Sequence, residues 1–183
     1  MAVTFIPVTT PGDQQRLADL AASIWREYWP ALIGEAQTEY MVANFQSLEA
    51  IRRDMAAETE PYEYWFVVSD ATDGRGGEAC EPHVVGYTGG HTEAATSRFF
   101  ISKIYLLSEE RGRGYATRII EFYEDLCRER GLSAMYLTVN KHNDLGIRAY
   151  LGRGFTVIDA VQTDIGEGFV MDDYIMQKRV FPE

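Results

Sequence analysis

The sequence contains little cysteine, only Cys80 and Cys127 among 183 residues. Nothing in their placement suggests a disulfide framework, so a cytoplasmic location is the simpler expectation. Long apolar runs are also missing, because no window reaches the ~18 apolar residues that a membrane-spanning helix requires. The opening stretch MAVTFIPVTTPGDQQ has no basic region followed by a long apolar one. We therefore expect no secretory signal and no membrane partner.

Basic residues are scarce as well. The 17 Lys and Arg residues are outnumbered by 28 Asp and Glu residues, and the formal net charge is -11. This balance argues against sequence-independent binding to nucleic acid, because phosphate contacts need a basic face. It favours a cationic small substrate through long-range attraction, although solubility alone also accounts for it. With 46% hydrophobic residues, the chain is expected to form one domain, residues 1–183.

Residue periodicity predicts strands and helices along the whole chain. Alternating, β-branched stretches predict strands at residues 3–9, 62–70, 83–94, 98–107 and 134–140, and a closing hairpin of residues 155–166 and 169–180. Apolar residues at helical spacing predict helices from Pro11 to the Pro30 boundary, over 38–46, after Ser47, over 114–130 and over 144–151. The glycine-rich segment 71–82 is predicted to be a loop. This order predicts an α/β or α+β fold with one central mixed sheet.

The stretch EERGRGYATRII, residues 109–120, joins an apolar strand to the clearest helix in the chain. Free N–H groups and the helix dipole attract phosphate at a helix N-terminus, and Gly112 and Gly114 let a ligand approach the backbone. Arg111 and Arg113 can add charge-assisted hydrogen bonds. A P-loop and a dinucleotide fingerprint both fail to match, because each needs other residues after the glycines. Taken alone, the stretch fits a phosphate site and an ordinary turn before a helix equally well.

A second motif follows the next predicted strand, in the stretch VNKHNDLGIRAYLGRGF, residues 139–155. Two segments of this chain together resemble the signature segments of the GCN5-related N-acetyltransferase (GNAT) superfamily: Arg111, Gly114 and Ala116 in the first, and Asn143, Gly146, Tyr150, Gly154 and Phe155 in the second. Gly146 stands where the family usually has alanine. The element order also resembles that family from residue 3 to about residue 180.

The resemblance implies a single domain whose central mixed, mostly antiparallel sheet is flanked by helices. It also implies a V-shaped opening between the two central strands, acetyl-CoA as the acetyl donor, and no metal. Coenzyme A is then expected to contact Leu106, Leu107, Arg111, Gly112, Arg113, Gly114, Tyr115, Ala116, Thr117, Asn140, Asn143, Ile147 and Tyr150.

The implied reaction transfers the acetyl group to a primary amine of a small molecule or peptide by direct attack on the thioester. A backbone N–H of Leu106 or Leu107 would polarise the thioester carbonyl. Tyr150 is the candidate for stabilising the departing thiolate. Many relatives carry a glutamate base where this chain has Phe100. His91, Glu93 or a water chain would then take the amine proton.

The acceptor site is the part that the sequence determines least. Tyr28, Trp29 and Tyr40 lie near predicted helix ends, where they can form either the wall of an acceptor pocket or part of the core. Phe100 in place of glutamate supports a different class of protein, a non-catalytic acyl-CoA-binding or sensing module. Tyr150 favours the enzyme. The sequence leaves a homodimer open.

Overall fold

The computed structural model describes residues 3–69 and 82–181. The strands are β1 Val3–Pro7, β2 Glu63–Ser69, β3 His83–Glu93, β4 Arg98–Leu106, β5 Ala134–Asn140, β6 Thr156–Gly166 and β7 Phe169–Arg179. The helices are α1 Pro11–Tyr28, α2 Pro30–Ile33, α3 Glu35–Phe45, α4 Leu48–Met55, α5 Tyr115–Glu129 and α6 Asp144–Leu151, with a 3-10 turn at Ser108–Glu110. The strands form one sheet in the order β1-β2-β3-β4-β5-β7-β6.

These elements confirm the predicted α/β architecture with a mixed sheet. The short helix α2 was not predicted, and the predicted loop at 71–82 lies outside the described residues except for Pro82. None of the helices in the described ranges is long and apolar enough to cross a membrane. Internal contacts divide the described chain into unit 1, residues 3–69, 82–89 and 103–119, and unit 2, residues 90–102 and 120–181. The expectation of one domain over 1–183 stays a prediction.

Unit 1 is built around the first helix. A capping box begins α1, because the Thr10 hydroxyl accepts from the Asp13 N–H at 3.1 Å and the Asp13 carboxylate accepts from the Thr10 N–H at 3.0 Å. The apolar stripe of α1 then packs with α4 and the strands in a core that includes Leu17, Ala21, Ile24, Ile51, Tyr64, Phe66, Val68 and Tyr87. All residues of this core precede α5 in the chain, so the core stabilises that part of unit 1.

Unit 2 is built on antiparallel pairing of its last strands. β5 pairs with β7 from Ala134↔Arg179 to Asn140↔Asp173, and β7 pairs with β6 from Thr156↔Gln177 to Gly166↔Phe169. β4 joins β5 in a parallel register from Arg98↔Ala134 to Ile101↔Leu137, and both strands continue beyond that register. The predicted V-shaped opening would lie where β4 and β5 continue beyond this register, and it stays a prediction.

The core of unit 2 contains Cys127, which is free and buried. Burial raises the pKa of its thiol to about 11, so Cys127 acts as a small apolar side chain and is a poor nucleophile. The same unit buries the side chains of Phe99, Tyr123, Met135, Leu137, Phe155 and Met176.

Gly86 on β3 is required by the close approach of β4. A Cβ atom there would lie 2.2 Å from the Tyr105 carbonyl oxygen and 2.9 Å from the Leu106 Cα, both of them backbone atoms. We expect Gly86→Ala to lower the free energy of unfolding by roughly 3 kcal/mol. In a domain of this size that loss lowers Tm by about 6–12 °C.

Gly12→Ala is the matched control for Gly86→Ala. A Cβ atom at Gly12 would meet only the Thr10 Oγ1, at an ordinary 3.7 Å. Because Gly12 lies in the first turn of α1, alanine there should leave Tm unchanged or raise it slightly. Thermal unfolding of both variants checks the prediction, and equal Tm values would show that β3 and β4 can separate without cost.

Candidate active site

The glycine-rich turn lies in unit 1 between the 3-10 turn and α5. Gly112 has φ 77° and Gly114 has φ 87°, both in the left-handed region that favours glycine. A Cβ atom at either position would find nothing within 4 Å, so both backbones border open space. The backbone conformation therefore favours glycine at these two positions, whereas packing within the described protein does not require it.

Arg111 makes two contacts within unit 1, one with a ring and one with a backbone carbonyl. Its Cζ lies 4.6 Å from the centroid of the Tyr28 ring, and its Nε donates to the Leu106 carbonyl oxygen at 3.2 Å. The guanidinium thus joins the end of α1 to the end of β4. Arg113 lies with its Nη1 at 3.4 Å from the Glu110 Oε2, and the buried Glu110 also contacts the His83 Nε2 at 3.1 Å.

At the start of α5, backbone N–H groups rather than side chains are available to bind a ligand. The Thr117 N–H donates to the Gly114 carbonyl at 3.1 Å, which closes the first turn. Tyr115 is buried and donates its hydroxyl to the Ser69 Oγ at 2.8 Å, so that side chain is committed to the core. Ala116 is half-buried. Residues 115 and 116 can therefore meet an anion through their N–H groups, which a helix leaves without internal acceptors.

The end of β4 distinguishes the two predicted backbone donors. The Leu107 N–H donates to the Val85 carbonyl at 3.0 Å, toward β3. Successive N–H groups of an extended chain point to opposite sides, so the Leu106 N–H points away from β3. The structure thus commits the Leu107 N–H to the sheet.

The three aromatic residues predicted for the acceptor site have different surroundings. Trp29 is buried, stacks on Trp25 at 4.9 Å between ring centroids, and meets the edge of Tyr28 at 5.4 Å. The Arg111 guanidinium packs over the Tyr28 ring, so Tyr28 lies beside the glycine-rich turn. Tyr40 is on α3 and packs 6.3 Å from the Phe45 ring. The structure brings Tyr28 and Trp29 together.

In unit 2, the two candidate bases lie near Phe100. His91 is buried and meets the Phe100 ring edge-on at 5.4 Å, while Phe100 stacks on Tyr136 at 4.9 Å. The Glu93 carboxylate accepts from the Tyr136 hydroxyl, from the Thr96 hydroxyl at 2.8 Å and from Arg98 at 3.2 Å. Burial opposes ionisation of Glu93, but these hydrogen bonds outweigh it and hold the pKa below its usual value. Glu93 is therefore a weakened base.

The second signature segment surrounds the start of α6. The Asn143 Oδ1 caps the helix by accepting from the Gly146 N–H at 3.0 Å, and the Asn140 Oδ1 accepts from the His142 N–H at 3.0 Å. A Cβ atom at Gly146 would lie 2.9 Å from the Asn143 Nδ2, so alanine there would require the end of the Asn143 side chain to shift. Ile147 and Tyr150 are half-buried on α6, and the Tyr150 ring lies 5.7 Å from Phe155.

Two buried ionisable groups lie outside the predicted site residues. Lys103 on β4 in unit 1 is buried, and burial lowers its pKa to about 8. Asp173 on β7 in unit 2 is also buried, and burial raises its pKa to about 6. The only signal in the sequence was the alternation of MDDYIM, which assigns Asp173 to one face of a strand without showing that the face is covered. Among residues 3–69 and 82–181, His, Cys, Asp and Glu side chains form no group of three arranged to hold a metal ion.

Comparison with solved structures shows the fold. The PaiA N-acetyltransferase from Thermoplasma acidophilum, solved in complex with coenzyme A, has a TM-score of 0.72 at 18% identity, covering 98% of this chain and 99% of that chain. A chimera of the spermidine N-acetyltransferase SpeG from Vibrio cholerae and hSSAT has a TM-score of 0.67 at 16% identity, covering 98% and 96%. An acetyltransferase of the GNAT family from Staphylococcus aureus Mu50 has a TM-score of 0.65 at 13% identity, covering 98% and 100%.

Comparison with curated protein sequences gives no significant match. The model of the Acetyltransferase (GNAT) family matches residues 21–155, which include the glycine-rich turn and the second signature segment. The predicted resemblance and the predicted fold class are both confirmed, and the chain belongs to the acetyltransferase (GNAT) family.

Proposed function

We propose that this protein transfers an acetyl group from acetyl-CoA to a primary amine of a small molecule or peptide by direct attack on the thioester. The observation that carries the proposal is the pair Gly112 and Gly114, whose left-handed backbones border open space directly before α5. A turn of this kind exposes N–H groups and the positive end of a helix dipole to an anion. Family membership and the coenzyme A complex of the PaiA relative support this proposal.

The residues of the turn fit a pyrophosphate. The N–H groups of Gly112 to Ala116 can donate to phosphate oxygens, and Thr117 closes the turn behind them. Arg113, half-exposed and held on one side by Glu110, can add a charge-assisted hydrogen bond. Arg111 is better explained as a positioning residue, because its Nε already holds the Leu106 carbonyl. Removing Arg111 would thus loosen the end of β4.

Backbone and side-chain amides would hold the rest of the cofactor. The Leu106 N–H, directed away from β3, is the group that would polarise the acetyl carbonyl, since the Leu107 N–H is engaged with Val85. A preorganised N–H of this kind stabilises the negative charge that develops on the carbonyl oxygen. In unit 2, the Asn140 Oδ1 accepts locally from the His142 N–H, and the Asn140 side-chain N–H groups would donate to pantetheine carbonyls. Asn143, which caps α6, would border the same arm. Ile147 would pack against the same arm.

Acetyl-CoA, when bound, supplies the acetyl group as a thioester. Tyr150 would then donate its hydroxyl to the sulfur as the thiolate leaves. Glu93 and His91 remain the proposals from the sequence for taking the amine proton. The lowered pKa of Glu93 makes proton acceptance there unfavourable, and its contacts assign it a role in holding Arg98 and Tyr136.

The acceptor is proposed to be a small amine or a peptide amine. A net charge of -11 attracts cations over a distance, and the SpeG relative is a spermidine N-acetyltransferase. Tyr28 and Trp29 would provide an aromatic wall beside the turn. Tyr40 on α3 is retained as a third candidate for that wall. A cytoplasmic location and a homodimer stay predictions.

The alternative function is a non-catalytic acyl-CoA sensor. Phe100, which packs between His91 and Tyr136, favours it because it leaves no carboxylate at that position. The two functions differ in a simple measurement. A sensor binds acetyl-CoA without releasing thiol when amines are added, whereas an acetyltransferase releases one thiol for each amine acetylated.

Coenzyme A is expected to stabilise the protein against heat. At a ligand concentration near 100 times Kd, binding adds about 2.7 kcal/mol to the free energy of unfolding. For this chain length the gain corresponds to an increase in Tm on the order of 5–10 °C. Thermal unfolding with millimolar coenzyme A, acetyl-CoA or ATP checks this, with ATP as the control for general phosphate binding. An unchanged Tm with acetyl-CoA would contradict the proposed phosphate site.

Catalysis is tested with the same preparation. Thiol release from acetyl-CoA is followed after adding spermidine, an aminoglycoside or a peptide with a free N-terminus. Release above the rate without amine supports the enzyme. Stabilisation by acetyl-CoA with no release from any amine supports the sensor.

A further inference from the structure

Asp173 on β7 has a buried carboxyl group that takes no part in the mechanism proposed above. The residue is 3% exposed, and its Oδ1 is buried with no hydrogen-bond partner among the residues that the structure describes. Burying a carboxyl without donors costs free energy, and buried polar groups normally have partners. Such a group is a candidate for function because folding gains nothing from it.

The strand register sets Asp173 beside the proposed cofactor arm. Asp173 is opposite Asn140 on β5 and opposite Val161 on β6. Residues that are directly opposite in an antiparallel pair have side chains on the same face, with Cβ atoms about 4.5–5.5 Å apart. Asn140 is a residue proposed to hold pantetheine. Asp173 is therefore its immediate neighbour on that face.

The same face carries the residue that stands in place of a base. On β5, Tyr136 and Asn140 are four positions apart and share one face, because side chains alternate along a strand. Phe100 stacks on Tyr136 at 4.9 Å. The face of the sheet that carries the Phe100 ring, where many relatives have a glutamate, therefore also carries the Asp173 carboxyl.

The surroundings keep this carboxyl more basic than an ordinary one. Burial is the main cause of its raised pKa of about 6, and the negative charge of Asp172 adds to it. Lys141, which is paired with Asp172, opposes the shift. Asn140 and Val161, the residues opposite on β5 and β6, carry no charge. At neutral pH the group is ionised and still close enough to the working pH to exchange protons readily.

We propose that Asp173 accepts the proton that the acceptor amine loses during acetyl transfer, an inference that rests on the proposed function. The amine nitrogen forms a bond to the acetyl carbon, and the carbon–sulfur bond breaks with its electron pair on sulfur. When the acceptor enters as an ammonium ion, the Asp173 carboxylate first takes one proton from it and passes that proton to solvent, which leaves the neutral amine that attacks. The remaining N–H proton leaves by the same route once the carbon–nitrogen bond has formed. The thiolate is neutralised by the Tyr150 hydroxyl or by water.

The test compares wild type with Asp173→Asn, using the amine that releases thiol fastest in the panel above. At neutral pH, Asp173→Asn should lose about 10²-fold in kcat and keep the coenzyme A stabilisation. The wild-type rate should fall below a pH of about 6, where the carboxyl is protonated. The rate of Asp173→Asn should instead rise about tenfold per pH unit, because only the amine that is already neutral in solution reacts.

Thermal stability separates this role from a structural one. The folded pKa of Asp173 lies above the unfolded value, so ionisation in the folded state lowers stability as pH rises from about 4 to about 6. Asp173→Asn should then be as stable as wild type at pH 7 or more stable. A structural carboxyl predicts a lower Tm.

Asp172→Asn provides the matched variant that leaves the proposed base in place. Removing this neighbouring charge lowers the pKa of Asp173, so the acid limb of the rate profile should move to lower pH while the plateau rate is retained. Lys141→Gln should move the limb to higher pH. These shifts of the acid limb test the role of Asp173 as the base even if Asp173→Asn does not fold.

Two results would overturn the inference: an undiminished rate in Asp173→Asn at neutral pH, or an acid limb that neither Asp172→Asn nor Lys141→Gln moves. Either result leaves the proposed function intact, because wild type would still bind acetyl-CoA and release thiol. Failure of the proposed function is visible earlier, in wild type alone, as absent stabilisation or absent thiol release.

Discussion

Tyr150→Phe is expected to lose roughly 10²-fold or more in turnover while coenzyme A stabilises it as much as it stabilises wild type. The substitution keeps the ring, which packs 5.7 Å from Phe155 on the segment that follows α6, and removes only the hydroxyl. The phosphates and pantetheine are proposed to bind elsewhere. A lost rate with retained binding marks an interaction that forms mainly in the transition state.

The proposed role of the Tyr150 hydroxyl is a hydrogen bond rather than a complete proton transfer. An unperturbed tyrosine has a pKa near 10 and a thiol one near 8.5, so full transfer to the thiolate is uphill by roughly 2 kcal/mol. A hydrogen bond that strengthens as charge develops on sulfur avoids this cost. Water can then deliver the proton after the bond to carbon has broken.

Tyr87→Phe is the control for loss of a tyrosine hydroxyl. The Tyr87 hydroxyl donates to the Gln46 Oε1 at 3.1 Å within unit 1, so its removal should lower the free energy of unfolding by about 1 kcal/mol and leave kcat unchanged. Steady-state kinetics and thermal shifts on the three proteins make the comparison. Equal turnover in Tyr150→Phe and wild type would remove Tyr150 from the mechanism. Loss of both rate and binding would assign its hydroxyl to structure.

Gly114→Val is expected to abolish the stabilisation by coenzyme A. The gain of about 2.7 kcal/mol near 100 times Kd should vanish. Gly114 has φ 87° and borders open space, so the valine side chain would occupy the volume proposed for pyrophosphate. A β-branched residue also resists this backbone conformation at a cost of roughly 1–2 kcal/mol.

Gly131→Val separates backbone strain from lost binding. Gly131 follows α5 at its other end and has φ 67°, and a Cβ atom there would also find nothing within 4 Å. Both variants should therefore lose similar stability without ligand, and only Gly114→Val should fail to respond to coenzyme A. Isothermal titration and thermal unfolding measure the two effects. If Gly114→Val binds as well as Gly131→Val does, Gly114 serves only the start of the helix.

Local features of the sequence were sufficient for most elements. β5 and α6 occupy the predicted residues 134–140 and 144–151, and α5 begins and ends within one residue of its prediction. Alternation, helical periodicity and terminal glycines act over a few neighbouring residues, so they can be read without knowing the fold. Helix α2 was missed because a four-residue turn between Trp29 and Gly34 has no periodic stripe.

The sequence by itself determined the family, the likeness to an acetyl-CoA site and the glycines that such a site requires, because these depend on short motifs. The tertiary structure decided which groups remain available for chemistry. It engaged Glu93 with Tyr136, 43 positions away, turned the Arg111 guanidinium onto Leu106, and buried Asp173 opposite Asn140. Burial and pKa depend on which strands pair and what covers them, and residues far apart in the chain set both.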